Sequence, residues 1–181
     1  MSSNRKKVLA ICGSTRKNST NEAILNGIAQ TYKELMEVTL FTGLVQLPHF
    51  IPDTDEEATP ASVREFRNQI EKADGIIICT PEYVFSLPGS LKNAIEWTVS
   101  TTVFLNKPAA LIVASGIGDK AYESLVLIMK TVGVRMGDPG AILIKGTRNK
   151  FDSEGIPINS TEKEQIDKLV KAFDAVMEGT D

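Results

Sequence analysis

Short, continuous apolar runs alternate with longer segments of helical period along this chain, and this alternation constrains the fold more than any other feature. Between the runs, apolar residues recur every three or four positions. The predicted strands are Val8–Cys12, Val38–Phe41, Gly75–Thr80, Ala109–Ala114 and Ala141–Lys145. The predicted helices are Asn21–Leu35, Ala61–Lys72, Leu91–Val99, Tyr122–Val132 and Thr161–Met177.

Strands that are apolar throughout and separated by helices are typical of a parallel sheet covered on both faces. Right-handed crossovers then predict an α/β three-layer sandwich. A six-stranded dinucleotide-binding sheet is the alternative, but the sequence contains only five strand signals. We therefore predict a flavodoxin-like, five-stranded parallel sheet of order 2-1-3-4-5. Because no linker or repeat interrupts the pattern, we expect residues 1–181 to form a single domain.

Charge and apolar pattern exclude several classes of partner. The formal net charge is −3 and the basic residues are spread along the chain, so we expect no nucleic acid partner. No apolar stretch reaches the ~18 residues that a membrane helix needs. The apolar run after Arg5-Lys6-Lys7 is too short for a signal peptide. We therefore expect a cytoplasmic protein that does not bind membranes.

Two cysteines, Cys12 and Cys79, each close an apolar run. Buried cysteines usually behave as small hydrophobic residues, so we expect two structural thiols in a reduced protein. A pair of redox partners is the alternative.

The loop after the first strand is rich in groups that bind anions. Ligands of open α/β sheets bind beyond the carboxyl ends of the strands, near the switch in winding direction. Hydroxyls and backbone N–H groups at a helix N-terminus form an anion site there, and Arg16 adds a planar guanidinium that suits a phosphate. The loop runs Gly13-Ser14-Thr15-Arg16-Lys17-Asn18-Ser19-Thr20-Asn21.

The plainer interpretation of this loop is a polar turn with a helix cap, since any residue of Asn18–Asn21 can cap the following helix. The loop holds more donors and acceptors than capping needs, which favours a phosphate site. Gly13 is its only glycine, so the Gly-x-Gly-x-x-Gly pattern of a dinucleotide site is missing. No Gly-Lys-Ser/Thr ends it as in an NTPase. A monophosphate ligand such as FMN fits best.

Two further loops follow predicted strands at the same edge of the sheet. Pro81 shapes the loop after the third strand, and Tyr83 and Phe85 offer flat side chains on which a ring system can lie. Surface packing is the alternative for both aromatic residues. The loop Ser115–Asp119 has two glycines, which either let the backbone approach a ligand closely or only begin the next helix.

Together, the three loops resemble the NADPH-dependent FMN reductase family, flavodoxin-like flavoproteins that include quinone, azo-dye and chromate reductases. One matching motif is Gly-Ser-x-Arg-x-x-Ser-x-Asn, at Gly13–Asn21. Another is Thr-Pro-Glu-Tyr…Ser-x-Pro-Gly-x-Leu-Lys-Asn-Ala-Ile-Glu-Trp, at Thr80–Trp97, and the third is Ser-Gly-x-Gly, at Ser115–Gly118. With the intervening strands and helices, the resemblance spans roughly residues 5–145.

The resemblance implies a set of FMN contacts. Contacts with the phosphate and ribityl are implied for Ser14, Arg16, Ser19, Thr20 and Asn21. Contacts along the isoalloxazine, mostly through backbone atoms, are implied for Pro81, Glu82, Tyr83 and Val84, and contacts with its other edge for Ser115, Gly116 and Gly118. The chain departs from the family pattern at Val84 and Phe85, where members often carry Asn and a small residue, and at Asp119, where they often carry Gly.

The resemblance also implies the reaction, a hydride transfer from NAD(P)H to flavin N5 followed by electron delivery to an acceptor such as free flavin or a quinone. No general acid–base pair stands out in the sequence, and the only histidine, His49, has no companions for a metal site. We therefore expect no catalytic side chain, since the cofactor carries the chemistry. The alternatives are a flavodoxin-type electron carrier without NAD(P)H oxidation, and a flavin-free nucleotide or phosphate enzyme on the same fold.

A homodimer or homotetramer is a further implication of the resemblance, with the helix over Pro88–Val99 at the subunit interface. Taken by themselves, the apolar residues of this helix suit a core and an interface equally. They are Leu91, Ala94, Ile95 and Trp97.

Overall fold

Over the residues that the structure describes, 5–54 and 56–179, five parallel strands form a sheet in the order 2-1-3-4-5. The structure is a computed structural model. The strands are β1 (Lys6–Cys12), β2 (Met36–Phe41), β3 (Gly75–Thr80), β4 (Ala109–Ser115) and β5 (Ala141–Lys145). Each pairs in parallel with its neighbours. The predicted strand order and flavodoxin-like fold are therefore confirmed.

Helices connect the strands and cover both faces of the sheet. They are α1 (Thr20–Thr31), α2 (Ala61–Lys72), α3 (Gly89–Glu96), α4 (Asp119–Thr131) and α5 (Ser160–Glu178), and a short 3-10 helix spans Leu44–Gln46. Apolar residues of α2, α3 and α4 build the core on one face, and those of α1 and α5 build the core on the other.

Strand β3 shows why the strands are apolar throughout. Ile76 and Ile78 belong to the core under α2, α3 and α4, whereas Ile77 and Cys79 belong to the core under α1 and α5. All six residues of the strand are buried. Full burial of an aliphatic side chain stabilises by roughly 1.5–3 kcal/mol, so both faces favour an apolar residue at every position.

Helix α1 ends at Thr31, before the predicted end at Leu35. The Tyr32 carbonyl accepts hydrogen bonds from the N–H groups of Leu35 and Met36, at 2.9 and 3.0 Å, and these bonds reverse the chain. Met36 then enters the sheet opposite Lys6. Leu35, where the predicted helix ends, lies in this turn, and its side chain is exposed.

Helix α3 ends at Glu96, three residues before its predicted end at Val99. The Nε and Nη2 atoms of the buried Arg67 donate to the Trp97 carbonyl, at 2.8 and 2.6 Å. The bonds tighten at this end, where the Thr98 N–H donates to the Ile95 carbonyl at 2.9 Å, and the guanidinium satisfies a carbonyl that the helix leaves free. Trp97 is itself buried, and so are Leu91, Ala94 and Ile95, which places the apolar residues of α3 in the core of the chain.

Candidate functional site

The loops after β1, β3 and β4 meet at the carboxyl edge of the sheet, because these three strands are neighbours. The Ser14 Oγ and the Tyr83 hydroxyl lie 3.5 Å apart, which joins the first loop to the second. The Glu82 N–H donates to Ser115 Oγ at 3.2 Å, which joins the second loop to the third. The structure thus brings together the three loops that the sequence singled out.

The first loop begins with a close approach at Gly13. Its N–H donates to the Cys79 carbonyl at 2.8 Å, and a Cβ at this position would lie 2.2 Å from Thr80 Oγ1. Only glycine fits such an approach without displacing the buried Thr80. The backbone therefore turns out of the sheet at Gly13, and Thr15, Arg16, Lys17 and Asn18 are exposed beyond it.

Ser14 organises the exposed part of this loop. Its hydroxyl accepts the Arg16 N–H at 3.3 Å, which folds the loop over the start of α1. A cavity of about 160 Å³ borders the loop, and Thr15, Arg16, Lys17 and Glu22 are among the residues that line it. The available donors are hydroxyls, a guanidinium, an ammonium and the free N–H groups of a helix start, a set that fits a phosphate.

The buried side chains of Ser19 and Asn21 anchor the end of this loop to the rest of the protein. Ser19 is the N-cap of α1, and its buried Oγ accepts the Glu22 N–H at 3.1 Å. The buried amide of Asn21 donates to the Ala114 carbonyl at 3.3 Å and accepts from Cys79 Sγ at 3.3 Å. Both side chains are therefore engaged inside the protein, whereas Thr20 is half-buried at the first residue of the helix.

Both cysteines are free and buried. Burial raises the pKa of the Cys79 thiol well above its ordinary value and also raises the pKa of Cys12. Because the thiolate is the reactive form, these neutral thiols are poor nucleophiles at neutral pH. This environment agrees with the structural role predicted for them.

The second loop contains a tight turn at Tyr83–Ser86. The N–H of Tyr83 donates to the Ser86 carbonyl at 3.0 Å, and the N–H of Ser86 donates to the Tyr83 carbonyl at 3.1 Å. The two central residues, Val84 and Phe85, have φ values of 51° and 56°, the geometry of a type I′ turn. For residues with a side chain this conformation costs roughly 1–2 kcal/mol each.

The same turn holds two apolar side chains in solvent. Val84 is 96% exposed and Phe85 is 71% exposed, beside Tyr83, which contacts the first loop. Strained backbone that displays apolar groups is typical of functional surfaces. The departure from the family pattern at these two positions therefore changes the surface directly beside the three-loop site.

Glu82 joins the second loop to the start of α4. Its Oε2 accepts the N–H groups of Lys120 and Ala121, at 2.9 and 3.0 Å. The family resemblance implied contacts mostly through backbone atoms for Glu82, and no local pattern links its carboxylate to residues so far along the chain. Asp119, another departure from the family pattern, pairs with Lys145 at 2.7 Å.

The third loop depends on its two glycines in different ways. Gly118 has a φ of 92°, and a Cβ there would lie 2.7 Å from Leu143 Cδ1, so its position requires glycine. Gly116 has no atom within 4 Å of a built Cβ, so its backbone faces open space. The Gly116 carbonyl accepts the Gly146 N–H at 3.2 Å.

Two motif residues, Asn93 of α3 and Trp97 just after its end, hold the segment after β2. Asn93 Oδ1 accepts the Phe50 N–H at 2.8 Å, and its Nδ2 donates to the Pro48 carbonyl at 3.0 Å. Trp97 Nε1 donates to the same carbonyl at 2.7 Å, and its ring meets Phe50 edge-on at 5.2 Å between centroids. Their shared place in the Thr80–Trp97 motif is the signal that marks them.

Other features of the described residues do not form a comparable site. The larger cavity, about 470 Å³, lies between α2 and β2 and is lined by scattered polar side chains such as Glu65 and Lys72. Within residues 5–54 and 56–179, no group of three or more metal-binding side chains lies together. Over the same residues, no helix is long and apolar enough to cross a membrane.

Comparisons with known proteins point to one family. The profile of the NADPH-dependent FMN reductases matches residues 6–147. An NAD(P)H-dependent FMN reductase of Pseudomonas aeruginosa is 32% identical over 172 residues, covering 92% of each chain. An NAD(P)H:quinone oxidoreductase of Solanum tuberosum is 30% identical over 179 residues, covering 94% of this chain and 92% of the relative.

A solved structure is similar over nearly the whole chain. It is FerB, a flavoenzyme NAD(P)H:(acceptor) oxidoreductase from Paracoccus denitrificans, at 28% identity and a TM-score of 0.84. The alignment covers 97% of this chain and 98% of that chain.

Proposed function

This chain belongs to the NADPH-dependent FMN reductase family, and we propose that FMN held by its three loops carries an electron pair to a quinone-type acceptor. As a member of that family it is an NAD(P)H-dependent oxidoreductase that uses FMN. When bound, FMN accepts a hydride from NAD(P)H and passes the electron pair on. The observation that carries the proposal is the junction of the loops through Ser14–Tyr83 and Glu82–Ser115.

The first loop holds the phosphate in this proposal. Ser14, Arg16 and the half-buried Thr20 supply side-chain donors, together with free N–H groups at the start of α1. Ser19 and Asn21 contribute by shaping the loop, because their side chains are already hydrogen-bonded inside the protein. A charge-assisted contact from Arg16 is the strongest single interaction expected there.

The second and third loops hold the ring system. Contacts along one side come from the backbone of Pro81–Val84, with Tyr83 also tied to the phosphate loop. Contacts at the other edge come from Ser115, Gly116 and Gly118. The role of these groups is to orient the ring.

The acceptor site lies beside the Tyr83–Ser86 turn in this proposal. Val84 and Phe85 present exposed apolar surface next to the site, and Tyr83 is 46% exposed. Such a surface favours a flat, apolar acceptor over a strongly charged one. The quinone activity named for the Solanum tuberosum relative supports the same class of acceptor.

We also propose that residues 1–181 form one cytoplasmic domain that assembles as a homodimer or homotetramer. The core position of the apolar α3 residues leaves the exposed Val99, Leu105 and Leu127 as the apolar surface near α3 and α4. A groove of about 400 Å³ lies beside the first two of these residues. Sedimentation equilibrium of wild type and Leu127→Lys tests this, with dissociation of the variant expected.

The function is tested by loading the purified chain with FMN and measuring oxidation of NADH and NADPH with free FMN, a quinone and an azo dye. We expect flavin fluorescence to be quenched on binding and NAD(P)H to be consumed with the quinone. Bound FMN without any NAD(P)H oxidation would support the electron carrier instead. Failure to bind FMN would support the flavin-free enzyme.

The phosphate assignment is tested by Arg16→Ala, which should weaken FMN binding by roughly 1.5–3 kcal/mol. Arg5→Ala is the matched control, since Arg5 is exposed at the other edge of the sheet, before β1, and donates to the Lys33 carbonyl. Equal FMN affinity in both variants would contradict the assignment.

A further inference from the structure

Helix α4 begins without a cap of its own. Its N-cap is Gly118, which has no side chain, so the first N–H groups need acceptors from elsewhere. Glu82 Oε2 supplies one to Lys120 and Ala121, at 2.9 and 3.0 Å, from a position 38 residues before Lys120. The cap of α4 therefore belongs to the loop after β3.

Glu82 also brackets the third loop. Its N–H donates to Ser115 Oγ on one side of the loop, and its carboxylate holds Lys120 and Ala121 on the other side. The segment between these contacts contains Gly116, whose backbone faces open space. One residue of the second loop thus sets the position of the whole segment proposed to meet the flavin edge.

The charge of Glu82 meets the positive end of a helix dipole, and it acts only weakly on the Lys120 ammonium, whose pKa is raised mainly by Glu123 and least by Glu82. The nearby ion pairs satisfy other residues, with Asp119 on Lys145 and Glu123 on Lys120, both at 2.7 Å. Among residues 5–54 and 56–179, no Lys or Arg forms an ion pair with Glu82. The carboxylate therefore offsets the positive potential that α4 would otherwise direct at the third loop.

This potential matters for a ligand that changes charge. A hydride carries two electrons and one proton, so its transfer to FMN adds one negative charge at the site. An uncapped helix N-terminus would stabilise that added charge, whereas a carboxylate on the same N–H groups opposes it. The balance between oxidised and reduced ligand thus depends on the residue that caps α4.

We infer that Glu82 is a positioning residue that caps α4 from the neighbouring loop and lowers the affinity of the site for reduced FMN relative to oxidised FMN. The inference rests on the proposed FMN function. Its consequence is that bound FMN gives up its electron pair to the acceptor more readily than it would beside an uncapped helix.

Spectroelectrochemical titration of the FMN-loaded protein tests this inference with Glu82→Gln, which removes the charge and keeps a side-chain oxygen. We expect the ratio of reduced to oxidised FMN at a fixed potential to rise by between about twofold and tenfold. A tenfold rise corresponds to about 30 mV upward for a two-electron couple. The control is Glu123→Gln, which removes the same charge from an exposed position on α4 and should shift the ratio less than twofold.

An unchanged or lower ratio in Glu82→Gln overturns the inference, and so does an equal shift in Glu123→Gln. Amide hydrogen exchange in the FMN-free protein tests the cap separately from the flavin. The exchange rates of the Lys120 and Ala121 amides should be at least several-fold higher in Glu82→Ala than in the wild type. If Glu82→Gln does not load FMN, wild-type protection of these amides in Glu82→Ala also overturns the inference. Failure of the inference is distinguishable from failure of the proposed function, because in the second case the wild type itself does not bind FMN.

Discussion

Gly155 is packed against the first turns of α1, the helix that follows the first loop of the site. Substituting Gly155 tests this backbone contact directly. Its φ is 81°, and a Cβ built on it would lie 1.8 Å from the Ala23 carbonyl oxygen and 2.7 Å from the Ile24 nitrogen. Backbone atoms cannot rotate out of the way as side chains do. Gly155→Ala is therefore expected to push the segment before α5 away from α1.

Gly146 is the matched control for this substitution. Its φ is 60°, but a Cβ there meets no atom within 4 Å. A side chain in the left-handed region costs roughly 1–2 kcal/mol at either position. Overpacking adds roughly 1–3 kcal/mol only at Gly155. We expect Gly146→Ala to lower the free energy of unfolding by about 1–2 kcal/mol and Gly155→Ala to lower it by about 2–5 kcal/mol.

Urea unfolding of the FMN-free variants measures both values from the midpoint and slope of one transition. Equal slopes are required, because a changed slope would mean that the two-state comparison fails. The reasoning from the close contact is refuted if the two variants lose the same stability to within about 0.5 kcal/mol.

Other contacts lead to further expectations. Gly13→Ala should lower the free energy of unfolding by about 1–3 kcal/mol and weaken FMN binding, because its Cβ collides with a buried threonine. Urea unfolding and flavin titration measure the two effects, and Gly89→Ala, in open space at the start of α3, should leave the stability unchanged or raise it. Asn93→Ala removes two hydrogen bonds to the segment after β2 and should make that segment the first site of limited proteolysis, with unchanged cleavage contradicting the anchoring role. Lys150→Met should cost about 1–3 kcal/mol at pH 7, because it leaves the buried carboxylate of Glu162 without its cation. The hydrogen bond from Lys150 lowers the pKa of Glu162, so this contribution is complete above about pH 4.5 and is lost as the pH falls through the lower folded-state pKa, where the urea midpoints of variant and wild type should converge.

The sheet and the general place of the site are predictable from sequence because both depend on local patterns. Apolar runs separated by helical segments predict a parallel sheet, and in a parallel sheet the carboxyl ends of neighbouring strands share one edge. Even a coarse assignment of strands therefore brings Ser14, Tyr83 and Ser115 close together. The helix ends are less predictable, since the Trp97 carbonyl just after α3 finds its partner in Arg67, which lies on another helix.

The roles of individual side chains depend more on the tertiary structure than the sheet and the place of the site do. The sequence by itself placed Ser19 and Asn21 in the loop between β1 and α1 and offered both as helix caps, and the local bond to the Glu22 N–H makes Ser19 the cap. Only the tertiary structure decided that the Asn21 side chain is bonded inside the protein, because its partners lie on β3 and β4. The type I′ turn at Val84 and Phe85 contradicts the local preference for Asn and Gly at such positions, so no local rule predicts it.

Glu82 shows the same division between what the sequence and the tertiary structure determine. The Pro-Glu-Tyr motif placed it in the second loop from sequence alone, whereas its carboxylate became the cap of α4 only through the pairing of β3 with β4. Local sequence determines which elements form and which loops follow them. The contacts between those loops depend on strand register and on side-chain reach across the sheet edge, and these exist only once the chain has folded.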